Sequence, residues 1–202
     1  DNASGSAGAL VLAAAFADTD TAHDFRLVLF GGEEQGLLGS RRYLDTLDPS
    51  ERRRIAAVVN MDMIGVRNGP IATVLIEGAP VSRALVAELA DAAALHTGLA
   101  VETSMNPYAS DHVPFIEAGI PAVLTIEGAD GANEAIHTAG DTPDRLDHAF
   151  ALDILRMNAA VVARYLRTAG AGDGGGDGDG DRVRAEGYPE DLHPARGVSD
   201  DI

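Results

Sequence analysis

FRLVLFGGEEQGLLGS, residues 25–40, passes from an apolar run through two glycines and two glutamates into a second apolar run. Phe25–Phe30 predicts a buried strand, being short, rich in large apolar residues and bounded by turn formers. Leu37–Leu47 predicts a helix that begins after Gly36. The same passage recurs on both sides. Ile55–Met61, Ala72–Glu77 and Pro121–Ile126 predict further strands, with Val101–Ser104 a weaker fifth. Ser4–Ala17, Val81–His96, Asp111–Ala118 and Thr142–Arg167 predict helices, the first with a serine cap and the last with Thr142 capping ahead of Pro143. Strands alternating with helices predict an α/β fold, a three-layer α/β/α sandwich around a mostly parallel mixed sheet.

The chain of 202 residues is long enough for one domain with a sizeable core. That core is aliphatic, since 46% of residues are hydrophobic and only 4% aromatic. With no cysteine, disulfides and thiolate metal sites are excluded, so any metal is held by His, Asp and Glu. The net charge of −17, with arginine as the sole basic type, argues against a nucleic-acid partner. No apolar run reaches membrane-spanning length, which argues against a membrane partner. Composition changes at Gly170, where GAGDGGGDGDGD cannot bury apolar surface. This divides the chain into a folded domain, 1–168, and a flexible tail or linker, 169–202. The tail lacks the ligand spacing of a calcium site and reads as plain linker.

Sites in open α/β sheets form beyond the carboxyl ends of strands. Glu33 and Glu34 follow the first predicted strand, Asp62 the second, and a loop holding His137 the strand Pro121–Ile126. Adjacent carboxylates raise each other's pKa, a cost that a cation relieves. An isolated Glu-Glu is ordinarily a solvated turn, and it is the company of the others that changes its meaning. Asp62 lies between Met61 and Met63, a setting that buries a carboxylate and demands a partner. His137 reads equally as a satisfied loop histidine or a ligand. Asp1 alone reads as a helix cap. Asp144, Asp147 and Asp153 read as the wet side of the last helix, and His148 as a surface residue.

As a set, five motifs resemble those of the co-catalytic zinc aminopeptidases, the group that includes bacterial leucyl aminopeptidases and vacuolar aminopeptidase Y. They are Asp1-Asn2-Ala3-Ser4-Gly5, the segment Gly32–Ser40, Asn60-Met61-Asp62-Met63-Ile64-Gly65, Ser110-Asp111-His112-Val113-Pro114-Phe115, and His137-Thr138 through Asp141-Thr142. They occur in the family's order between Asp1 and about Arg167.

The resemblance implies two zinc ions. Asp1 would bridge them, Asp62 would bind the first, and Glu34 and His137 the second. Glu33 would be the general base for a metal-bridged water, and one zinc would anchor the free amine of a peptide substrate. Asp111, His112 and Tyr108 are the implied substrate-side residues, with Tyr108 replacing a tyrosine that some relatives carry where Ile136 stands. The family also uses a histidine ligand upstream of the bridging aspartate. The expectation is therefore a truncated core that binds the first zinc weakly and turns over slowly or not at all. A secreted or periplasmic location is expected on the same ground. The alternatives are a glutaminyl-cyclase-like or deacylase-like enzyme with one zinc, and a non-catalytic binding or scaffold domain with a vestigial site.

Overall fold

The computed structural model describes residues 2–167. Asp1 and the proposed tail, 169–202, lie outside the described residues. Four strands form one mixed sheet, β1 (Val58–Met61), β2 (Thr73–Glu77), β3 (Ala100–Ser104) and β4 (Ala122–Glu127), in the order β1-β4-β2-β3. β1 runs parallel to β4 with Asn60 opposite Leu124, and β2 runs parallel to β3. β2 and β4 are antiparallel. Every residue of β4 is buried, as expected of a central strand covered on both faces.

Side-chain alternation along β4 feeds two cores. Val123 joins Val74, Ile76, Leu89, Ile154, Met157 and Val161 on the face covered by α4 (Arg83–His96) and α6 (His148–Leu166). Leu12 brings α1 (Ala3–Phe16) to that same core. Ala122 points the other way, to Leu44, Phe115, Ile116 and Ile120 of α2 (Leu38–Thr46), α5 (Val113–Glu117) and the turn after it. Helices thus cover both faces, and the α/β/α layering stands. A short α3 (Pro49–Arg54), with an Asp48–Glu51 capping box, connects α2 to β1. No helix among the described residues is long and apolar enough to cross a membrane.

Three local expectations are corrected. Phe25–Phe30 has no strand ladder. A cleft separates Val28–Phe30 from Val59–Met61 of β1, so the segment is held by side chains instead. The Phe30 ring lies 5.7 Å from Tyr43 and 6.1 Å from Phe115, and Phe25 lies 6.0 Å from Phe16. The first helix is capped by Asn2, whose Oδ1 accepts from Gly5 N at 2.8 Å, and not by Ser4. The last helix starts at His148 and not at Thr142, after a separate 3₁₀ turn at Pro143–Arg145. Its cap is Asp147, whose Oδ1 accepts from Ala149 N at 3.1 Å and Phe150 N at 3.0 Å. Asp147 N also donates to Gly65 O at 2.8 Å, which ties the start of α6 to the loop after β1.

Loss of an N-cap carboxylate costs about 1 kcal/mol. Asp147→Ala is therefore expected to lower unfolding free energy in urea by about that much, with Thr142→Ala within ~0.5 kcal/mol of wild type. Equal losses would restore the longer helix read from the sequence.

Candidate active site

The glutamate pair stands on a turn that glycine makes feasible. Gly32 and Gly36 take φ of 72° and 106°, in the region open chiefly to glycine. Glu33 O accepts from Gly36 N at 3.0 Å and Leu37 N at 2.8 Å, and Gly32 O accepts from Leu38 N at 3.0 Å. The chain reverses sharply into α2, and both glutamates are left lining the cleft beside β1.

Asp62 leaves β1 at the floor of that cleft. Its Oδ2 accepts from Ser110 Oγ at 3.1 Å, and Asn60 Nδ2 donates to the same hydroxyl at 2.9 Å. The other oxygen, Oδ1, is buried without a hydrogen-bond partner. Asn2 fixes the strand end on both sides of Asp62, donating to Met61 O at 2.8 Å and accepting from Met63 N at 3.3 Å. Ser4 Oγ accepts from Ile64 N at 3.0 Å. Asn2, Ser4, Asn60 and Ser110 were not singled out from the sequence as positioning groups. Asn60 shares a motif with Asp62, whereas Asn2, Ser4 and Ser110 reach it from two other motifs.

His137 arrives from the loop after β4. Its Nε2 lies 2.5 Å from Glu34 Oε1, and both side chains are about half exposed. Two residues at the site have left-handed backbone that non-glycine residues rarely adopt, His137 at φ 58° and Met63 at φ 50°. Such outliers persist where surrounding structure over-determines them.

Asp111 also lines the cleft, with Oδ1 buried and unpartnered. The other two implied substrate-side residues do not line it. His112 is fully buried, its Nε2 3.4 Å from Glu77 Oε1. Tyr108 is 81% exposed and off the cleft wall, and its backbone N donates to Glu77 Oε1 at 2.5 Å. Glu77 thus holds the loop ahead of α5 through the Tyr108 backbone, while neither ring nitrogen of His112 has a hydrogen-bond partner.

Carboxylates without a counter-cation push one another up. Glu33 rises from its ordinary 4.5 to about 7, first through burial and then through the charges of Asp62, Glu34 and Asp111, with His137 opposing. Asp62 is raised by burial, against the Ser110 hydrogen bond, and further by Asp111. Asp111 is raised by burial, with Ser40 and His112 opposing. Among the described residues, no group of three or more His, Asp or Glu side chains is closed tightly enough to hold a metal by itself. The donors nevertheless fit a zinc ion in kind. Glu34 and His137 already meet, Asp62 keeps one buried oxygen without a hydrogen-bond partner, and a cation would relieve the crowding.

Comparison with known proteins agrees with this chemistry. The sequence profile of peptidase family M28 matches residues 1–162. The chain is 32% identical over 149 residues to aminopeptidase YwaD of Bacillus subtilis, covering 73% of this chain and 32% of that protein. It is 32% identical over 171 residues to an aminopeptidase of Pseudomonas aeruginosa, covering 78% and 32% respectively. Among solved structures it matches BSAP, a zinc aminopeptidase from Bacillus subtilis, with a TM-score of 0.74 at 27% identity over 82% of this chain and 42% of that one. The chain spans about a third of the length of these two curated relatives.

In metal-free protein the raised carboxylates make stability depend on pH. Glu33 keeps its proton in the folded state after the unfolded chain has lost it. Stability is thus full below pH 4.5 and falls as pH rises to about 7. The melting temperature of chelator-treated chain is expected to drop across that window, and Glu33→Gln to flatten part of the drop. A Glu33→Gln profile identical to wild type would show that Glu33 is not raised.

Proposed function

The chain belongs to peptidase family M28, and on that premise we propose that it is the catalytic core of a zinc-dependent aminopeptidase. It hydrolyses the N-terminal peptide bond of peptides, with Glu33 as the general base. One observation carries this reading. The Glu33-Glu34 turn and Asp62 at the end of β1 meet in one cleft, where Glu34 also meets His137 from the loop after β4.

Glu34 and His137 would hold one zinc ion and Asp62 the other, with Asp1 as the bridging ligand. When bound, zinc supplies a Lewis acid that acidifies water and polarises a carbonyl. The remaining work falls to the protein. Glu33 takes a proton from the attacking water and returns it to the leaving amine. Ser110 and Asn60 keep Asp62 Oδ2 occupied, which leaves Oδ1 free for the ion. Of the implied substrate-side residues, Asp111 is the one that lines the cleft. The scaffold reading gains no support from a cleft that keeps general-base and ligand positions together.

Glu33→Gln is expected to leave zinc content unchanged and lower turnover of an aminoacyl substrate by on the order of 10²–10⁴. Undiminished turnover would remove Glu33 from that role. Zinc measured by elemental analysis should fall in Glu34→Ala and His137→Ala, and not in His148→Ala. Equal loss in all three would mean adventitious binding.

A further inference from the structure

Glu127 is an acid that the proposed chemistry does not use. It ends β4, is 1% exposed, and no arginine pairs with it among the described residues. Its partners are three neutral N–H donors. Val66 N donates to Oε2 at 2.8 Å. Asn133 Nδ2 and Asn68 Nδ2 donate to Oε1 at 2.9 Å and 3.3 Å. Burial of an anion with no counter-charge is costly, and it is sustained only where donors replace water.

The donors come from two loops. Val66 and Asn68 belong to the loop that follows Asp62, and Asn133 to the loop that leads to His137. Val66 stands four residues after Asp62, and Asn133 four residues before His137. The backbone reinforces the junction. Glu127 N donates to Met63 O at 2.9 Å, and Asn68 Nδ2 also donates to Gly128 O at 3.2 Å. Asn133 Oδ1 passes the constraint on by accepting from Ala135 N at 3.3 Å. Both loops contain the left-handed residues noted above, Met63 and His137, whose backbone needs outside support.

We propose that Glu127 is a positioning residue, a buried carboxylate clamp that fixes the Asp62 loop and the His137 loop in mutual register so that Asp62 on one and the imidazole on the other can serve one metal centre. The inference rests on the zinc reading above, but its mechanical half is independent of metal. A carboxylate is required because every partner is a donor. An amide in its place would turn an N–H₂ group toward Val66 N–H and lose that bond.

The test compares wild type, Glu127→Gln, Asn133→Ala and the core control Ile154→Val, all in the full chain. Zinc affinity is read by chelator competition, and loop order by amide hydrogen exchange on metal-free protein. Glu127→Gln is expected to weaken zinc binding on the order of 10–100-fold, the usual effect of a group that orients ligands. It should speed exchange in both loops. Asn133→Ala cuts one arm, so it should weaken zinc binding and loosen only residues 129–137. Ile154→Val should lower the melting temperature with zinc affinity unchanged, which a merely structural role for Glu127 would match. Wild-type zinc affinity in Glu127→Gln overturns the clamp, as does an affinity loss that Ile154→Val reproduces. Should Glu127→Gln fail to fold, unchanged affinity in Asn133→Ala overturns it equally. If wild type itself binds no zinc, the zinc reading fails, and unchanged exchange in both loops of Glu127→Gln overturns the clamp.

Discussion

Everything at this site depends on negative charges held close together with no arginine paired to them among the described residues. Glu33, Glu34, Asp62 and Asp111 share one cleft. Arginine is the only basic residue type besides histidine, and its ion pairs among the described residues lie elsewhere, joining Arg26 to Glu51, Arg41 to Glu117, Arg54 to Asp24 and Arg156 to Asp153. Most of those groups are well exposed, and such pairs contribute little to stability. In the cleft, burial raises Glu33, Asp62 and Asp111, and neighbouring carboxylates raise Glu33 and Asp62 further, a cost that a cation relieves. That cost makes metal binding and local order parts of one equilibrium.

The fold supplies the force that keeps the acids in place. β1 and β4 are parallel, so the residues that follow them emerge at one edge of the sheet. The aliphatic core under α1, α4 and α6 fixes those strand ends, and the ring cluster of Phe30, Tyr43 and Phe115 fixes the segment that delivers the glutamates. Glycine lets α1 approach closely, since a Cβ on Gly5 would run into the Met61 carbonyl. Burial of apolar surface far from the cleft thereby offsets the repulsion within it.

Much of this was legible in the sequence, for definable reasons. The strands at 58–61, 73–77 and 122–127 showed as apolar runs because a central strand is buried on both faces. Glu34 and His137 were legible together only through the resemblance, since 103 residues separate them and no local pattern links them. The failures share a cause. Apolar pattern reports burial and says nothing of pairing, so Phe25–Phe30 read as a strand although side chains alone hold it. Thr142 ahead of Pro143 carried a helix-start signal, yet Asp147 makes the cap because its backbone is tied to Gly65. His112 lay in a motif beside a cleft residue, but neighbours along a turn face different ways, and it points into the protein. Glu127 gave no signal at all, because its partners come from two loops whose meeting is purely tertiary.

The central claim is that the Glu34–His137 pair and Asp62 converge on zinc. Crystals of the chain soaked in zinc and measured at the zinc absorption edge test it most directly. The account predicts an anomalous peak at coordination distance, about 2.0–2.2 Å, from Glu34 and His137. Peaks confined to surface histidines such as His23, His96 or His148, with Glu34, His137 and Asp62 left unliganded, would contradict it.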